Sequence, residues 1–235
     1  MNARQRIVVL TGAGISADSG LKTFRDSDGL WEGHRVEEVA TPEAFARHPQ
    51  LVLDFYNARR RQARAAQPNA AHHALVKLAG HYEVRIITQN VDDLHERAGS
   101  QQVLHLHGQL NKLRSSVDDD YVIDWHEDQT LDHRDPAGHP MRPHIVWFGE
   151  SVPLIGQAAE WVSQADRVLV IGTSMKVYPA AGLLQYAPPH AGCHLVDPRP
   201  PAVAGVEVIA ATAAEGVPPL VERLIAASAQ AKQAG

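Results

Sequence analysis

Short apolar runs bounded by turn residues alternate with stretches of helical periodicity along most of this chain. Residues 7–10, 84–88, 103–106, 167–171, 194–196 and 206–209 read as strands. Helices fit residues 42–46, 50–65, 70–79, 157–162, 179–186 and 218–229, with Asn69 as the N-cap and Gly80 as the C-cap of the third. Such alternation predicts an α/β fold, a mainly parallel sheet with helices on both faces. Two stretches break the pattern. Residues 30–67 are helical and rich in arginine, and residues 109–142 are polar with little apolar periodicity. Together they predict a small inserted lobe, leaving residues 1–29, 68–108 and 143–235 for the main lobe within one domain.

The first apolar run breaks directly into a glycine turn, TGAGISADSG. Gly12 and Gly14 permit close backbone approach, and a helix opening at Ile15 would offer free amides to an anion, a Rossmann-like strand–turn–helix. A plain strand-to-helix turn fits the same glycines. The hydride-transfer fingerprint is incomplete, because Ala17 occupies the third glycine place. Glu32, near the acidic position about 20 residues on, lies in GLWEG (29–33), which does not read as a strand.

Composition narrows the classes. A chain of 235 residues can bury a full α/β core. Its 22 basic and 27 acidic side chains give a net charge of −5, no field for nucleic acid or an anionic membrane. One cysteine, Cys193, excludes an internal disulfide framework and reads as buried and inert; no run of about 18 apolar residues is present. These features predict a cytoplasmic protein.

Candidate chemistry clusters after the strands, where open α/β sheets bind ligands. TQNVDD (88–93) brings Gln89, Asn90 and Asp92 to a carboxyl edge, a set able to read a carboxamide or to cap the next helix. Gly172, Thr173 and Ser174 offer hydroxyls and amides after another strand. In LHLHG (104–108), His105 and His107 fall on one face of a strand that Gly108 ends, and either a base or a structural pair fits. On helix 50–65, Tyr56 and Arg59 share a face, Tyr56 suiting the core and Arg59 water, while Arg60, Arg61 and Arg64 read as a solvated basic run.

In chain order stand GAGIS, SGLKTFRD, GLW, ATPEAF, FYNARR, PNAAH, TQNVDDLHERAG, LHLHG, RPHIVWFGE, VIGTSMKVYPAA and a last helix preceded by ATAAEG. Over nearly the whole chain this series resembles the sirtuins, NAD-dependent protein-lysine deacylases, and most closely their bacterial desuccinylase-like branch. The resemblance implies that Gly12, Ala13, Gly14 and Ser16 hold the pyrophosphate and that Phe24 and Arg25 close over the nicotinamide ribose. It places Gln89, Asn90 and Asp92 at the carboxamide, and Gly172, Thr173, Ser174, Asp197 and Ala213 on the adenosine side. His107 becomes the catalytic base, acting with Asn90 and Asp92. Val146, Phe148, Gly149, Glu150 and Val177 would flank an extended acyl-lysine substrate.

The implied reaction consumes NAD as a co-substrate. The acyl oxygen attacks the anomeric carbon and nicotinamide leaves; His107 then deprotonates a ribose hydroxyl, whose oxygen attacks the imidate carbon, and water finishes the release, giving O-acyl-ADP-ribose and free lysine. Tyr56 and Arg59 match the Tyr-x-x-Arg of desuccinylase-like members, which implies activity on succinyl- and acetyl-lysine. Three positions depart from the pattern. Asp197 stands where an asparagine is expected, and Ser27 where a small alanine lies beside the acyl channel. The four zinc-binding cysteines are missing, with RSS (114–116) where a first pair would begin. No zinc is therefore expected, His126, His133 and His139 read as solvated, and Tyr121, Ile123 and Trp125 are expected to hold the small lobe. The rival readings are a mono-ADP-ribosyltransferase and a non-catalytic module that binds NAD or ADP-ribose. Protein substrates and oligomeric state stay open.

Overall fold

The computed structural model describes residues 4–22, 30–31, 33–173, 180–200 and 205–233. In chain order its elements begin with β1 (Arg6–Thr11), α1 (Gly14–Ala17), β2 (Leu30–Trp31), β3 (His34–Arg35), α2 (Val36–Val39), α3 (Pro42–Arg47), α4 (Pro49–Ala65), α5 (Ala70–Ala79) and β4 (Glu83–Thr88). There follow α6 (Leu94–Ala98), β5 (Val103–His105), β6 (Gly108–Ser115), β7 (Val122–Asp124), β8 (Met141–Ile145), α7 (Ile155–Ser163), β9 (Arg167–Ile171), a 3-10 helix (Ala180–Tyr186), β10 (Gly192–Val196), β11 (Val206–Ile209) and α8 (Ala213–Gln233).

All six expected strands form, and they pair in parallel as one sheet in the order β11-β10-β9-β1-β4-β5. Residue period two divides the central strand between two cores. Ile7 and Val9 pack with Leu75 and Leu78 of α5 and Val217, Leu220 and Val221 of α8. Val8 and Leu10 pack on the opposite face with Ala158 and Val162 of α7 and Leu183. A strand covered on both sides must be apolar along its centre, the reason Ile7–Leu10 within RIVVLT shows no polar alternation. The chain leaves β1 toward β4 and β5 and later returns to its other side as β9, so the switch point lies between the carboxyl ends of β1 and β9.

The expected caps of α5 are present: Asn69 Oδ1 accepts from the Ala71 amide at 3.0 Å, and Gly80 closes the helix. Other boundaries differ from the sequence reading. The last helix starts at Ala213, five residues before Pro218, because the Asp18 carboxylate accepts the Ala214 amide at 3.1 Å and caps it from outside. The segment expected as a helix at 179–186 is a 3-10 helix from Ala180 on. Leu30–Trp31, not expected as a strand, pairs antiparallel with His34–Arg35 outside the main sheet.

The stretch 109–142, with Gly108 and residues 143–145 at its ends, forms a three-stranded antiparallel sheet in the order β7-β6-β8. Its pattern escaped notice because much of its support is polar. Asn57 Nδ2 donates to the Gln129 carbonyl at 2.9 Å, the Gln129 amide returns a bond to Asn57 Oδ1 at 2.8 Å, and Ser115 Oγ donates to Asp135 at 2.7 Å. Leu113 and Met141 are buried, whereas Tyr121, Ile123 and Trp125, expected to hold this lobe, are half-buried. A third core joins α4 to this small sheet through Val52, Phe55, Tyr56, Leu110, Ile145 and Trp147.

Candidate active site

Two turns meet at the switch point. The Gly12 amide donates to the Ile171 carbonyl at 3.1 Å and the Gly14 amide to the Gly172 carbonyl at 2.8 Å. A Cβ on Gly14 would stand 2.6 Å from Gly172 Cα, and one on Gly172, whose φ is +61°, 2.4 Å from the Ile15 amide. The glycines are therefore needed first for backbone against backbone. Helix α1 is a single turn, shorter than the sequence suggested. From this floor opens a cleft of about 470 Å³ lined by Gly12, Ala13, Gly14, Ser16, Gln89, Asn90, Asp92, His107, Gly172, Thr173 and Asp197.

The loop after β4 folds over that floor. Gln89 donates its amide to the Thr11 carbonyl at 3.0 Å and its side-chain nitrogen to Thr173 Oγ1 at 3.1 Å. Asn90 Nδ2 donates to Ser16 Oγ at 3.1 Å, and Ser16 Oγ donates to Asp92 Oδ2 at 3.1 Å. Asp92 also accepts the Leu94 amide at 3.2 Å. Burial raises the Asp92 pKa above the usual carboxylate range, against the pull of the Leu94 amide and Ser16. Each polar side chain of the trio is buried and bonded to the next, so the cleft wall is set before any ligand arrives.

The two histidines do not share a strand face. β5 ends at His105, His107 lies in the turn that follows, and Gly108 opens β6. At φ +81° a Cβ on Gly108 would stand 2.0 Å from the His144 carbonyl, so glycine begins the new strand where it crosses β8. His105 is turned away from the cleft: its Nδ1 lies 3.0 Å from the Asn90 carbonyl and its Nε2 2.7 Å from Glu96. Both of its nitrogens face acceptors, a structural role. His107 donates Nδ1–H to the Gln89 carbonyl at 3.0 Å, which leaves Nε2 as the acceptor at the cleft. Burial lowers its pKa, outweighing that hydrogen bond, so the ring is neutral at pH 7 and able to take a proton.

The same cleft is lined by Tyr56 and Arg59 of α4 and by Trp147, Phe148 and Glu150. Tyr56 is fully buried and its hydroxyl accepts the Trp147 indole N–H at 3.0 Å. The sequence reading of Arg60 is overturned: it is 2% exposed, donating Nε to the Leu110 carbonyl and Nη1 to Asn57 Oδ1, both at 2.7 Å. Burial lowers its pKa to about 10. Leu53, Tyr56, Asn57, Arg60 and Ala63 form one buried stripe, so the helical period already assigned Arg60 inward. Arg61 and Arg64 are exposed as expected.

Val146, Phe148, Gly149 and Glu150 all line the cleft, with Phe148 48% exposed. The amides of Val146 and Phe148 donate to the His107 and Ala40 carbonyls, each at 3.0 Å. Glu150 is occupied by Arg142 at 2.7 and 3.0 Å and by the Trp147 amide at 2.7 Å, so its carboxylate fixes the loop. Asp197 is buried at the end of β10 and accepts the Arg199 amide at 2.9 Å. Lys22, Gln62, Arg199 and Thr212 also line the cleft, and nothing in the sequence reading had singled them out. Ala213 is buried at the start of α8. Phe24, Arg25, Ser27, Ser174 and Val177 lie outside the described residues.

Cys193 is half-buried with its thiol 3.6 Å from the Ala191 carbonyl, and burial raises its pKa. Among the described residues no group of three or more His, Cys, Asp or Glu is placed to hold a metal ion. His133 packs edge-on against Trp125 with ring centres 4.4 Å apart, and His139 pairs with Asp135 at 3.2 Å.

The Sir2 family model matches residues 12–179. An NAD-dependent protein deacylase of Aggregatibacter actinomycetemcomitans is 61% identical over 193 residues, 82% of this chain and 93% of the relative. A mutant Sir2 homologue solved with ADP ribose is 36% identical, with a TM-score of 0.86 over 98% of this chain and 94% of the other. A Sir2 homologue solved with NAD is 38% identical, with a TM-score of 0.84 over 96% of this chain and 91% of the other. By the extent of these matches, and by a sheet that agrees with them, the chain belongs to the Sir2 family, the sirtuins.

Proposed function

We propose that this protein is an NAD-dependent protein-lysine deacylase that removes acetyl and succinyl groups from lysine side chains. The observation that carries the reading is His107: a neutral imidazole, its Nδ1–H held by the Gln89 carbonyl, in one cleft with the buried Asn90–Ser16–Asp92 chain and with Tyr56 and Arg59. The relatives whose names and complexes carry NAD, ADP ribose and protein deacylation support it.

The donor set fits NAD. Two glycine turns bring their backbone to the cleft floor, Gln89 and Asn90 bear side-chain amides, and Asp197 can accept from a ribose hydroxyl. When bound, NAD supplies an electrophilic ribosyl carbon with nicotinamide as its leaving group. Gly12, Ala13, Gly14 and Ser16 would hold the pyrophosphate, and Gly172, Thr173, Asp197 and Ala213 the adenosine side. Asn90 and Asp92 order the wall facing the reacting ribose. With NAD bound, His107 would be the base, its Nε2 free to take a ribose hydroxyl proton and its Nδ1–H held by the Gln89 carbonyl, which would stabilise the charged ring. The substrate enters as an extended strand along Val146, Phe148, Gly149 and Glu150, where occupied amides leave carbonyls as the groups to engage. Arg59 and Tyr56 receive a distal carboxylate.

The test is incubation of the pure protein with NAD and acetyl-, succinyl- and butyryl-lysine peptides, with products read by mass spectrometry. Nicotinamide, free lysine and O-acyl-ADP-ribose are expected from the acetyl and succinyl peptides. ADP-ribosylated protein without deacylation would establish a transferase instead, and NAD binding without turnover a binding module.

A further inference from the structure

We propose that Trp147 is a positioning residue that fixes the hydrogen-bond direction of Tyr56 and, through it, the recognition of acyl groups ending in a carboxylate. This rests on the acyl reading given above. Tyr56 has no exposed surface, and its hydroxyl oxygen accepts the Trp147 indole N–H at 3.0 Å. An indole nitrogen donates and cannot accept, so this bond has one direction. The single phenolic hydrogen is thereby left for another acceptor, and Tyr56 lines the cleft beside Arg59. Burial holds the phenol pKa well above its ordinary value, so that hydrogen stays on the oxygen. A terminal carboxylate that reaches the Arg59 guanidinium and parts the side chains covering Tyr56 would meet an O–H donor beside the charge. An acetyl group ends in a methyl and offers nothing to either.

Trp147 is itself locked. Its backbone amide donates to Glu150 Oε2 at 2.7 Å, and the Arg142 guanidinium carbon lies 3.4 Å from its ring centre. Arg142 is held in turn by both oxygens of Glu150. Phe45 packs against the same indole with ring centres 5.3 Å apart. The N–H therefore has one pose, and its donation polarises the phenol into a stronger donor.

Trp147→Phe removes the N–H and keeps a ring beneath Arg142. The ratio of KM for a succinyl-lysine peptide to KM for an acetyl-lysine peptide is expected to rise about three- to tenfold, the loss of one hydrogen bond. The penalty should vanish when the substitution is made in a Tyr56→Phe background, which isolates the coupling. Should Trp147→Phe not fold, the wild-type indole N–H resonance, assigned among the four tryptophans by its shift in Tyr56→Phe, is expected to move farther on binding succinyl-lysine peptide than on binding acetyl-lysine peptide. Equal losses on both peptides, an undiminished penalty in the Tyr56→Phe background, or an indole resonance indifferent to the acyl group would overturn the proposal. Arg59→Met separates this from failure of the acyl reading: if it discriminates the two acyl groups and Trp147→Phe does not, only the role of Trp147 falls.

Discussion

His107 and His105 show how much of a residue's role is decided by its second hydrogen bond. Both lie beside a sheet edge, yet His105 spends both nitrogens inside the protein and His107 spends one. Replacing His107 by Ala should abolish deacylation while NAD binding, followed by calorimetry, stays near wild type. Because burial lowers its pKa, the base is already neutral at pH 7. The acid limb of kcat/KM should therefore lie below the ordinary histidine value of about 6.5; a limb above that value would assign the base elsewhere. Arg59→Met should raise KM for succinyl peptide by about 1.5–3 kcal/mol of lost charged hydrogen bonding and affect acetyl peptide far less. Equal effects would make Arg59 a support of the lobe. The type and spacing of Tyr56, Arg59, Gln89 and Asn90 were legible in the sequence because reactive groups after strands or on one helical face keep recognisable patterns. Arg60 was misread because charge was weighed above periodicity, and a buried arginine satisfied by a carbonyl and an amide oxygen looks like any other arginine until its partners are known.

At the scale of elements, the parallel strands were legible because covering both faces of a sheet demands continuous apolar runs. The sheet of β6, β7 and β8 was not, since its braces are side-chain amides, a serine and a carboxylate that carry no periodic signal. Asn57 is the joint of that brace, bonded to Gln129 twice and to Arg60 once. Asn57→Ala should cost about 2–4 kcal/mol, because it leaves buried partners unsatisfied. Thermal melts should show this as a lowered Tm with NAD affinity largely retained, and an unchanged Tm would remove Asn57 from that role. We further propose that this lobe stands without zinc. Elemental analysis of untagged protein should find far less than one equivalent, and a value near one would refute the proposal.

Across the whole molecule, the position of the cleft follows from strand order, and no local motif contains that information. The glycine turn after β1 suggested a nucleotide site and the resemblance added the turn after β9, but that the two touch follows only once β1 is seen between β4 and β9. Gly172→Ala and Gly20→Ala both place a side chain at positive φ, yet only the first drives a Cβ into backbone, 2.4 Å from the Ile15 amide. Gly20→Ala should cost about 1 kcal/mol and spare NAD binding, whereas Gly172→Ala should lose measurable affinity by calorimetry and melt well below wild type. Comparable behaviour of the two would show that the turns can part without consequence. The pinch between Gly14 and Gly172 also joins residues far apart along the polypeptide. A nascent chain emerging from a ribosome would complete its first turn early but have no nucleotide pocket until β9 had been made and had inserted beside β1. Ligand capture would then report a late stage of folding, and translation products that stop short of β9 would remain blind to NAD.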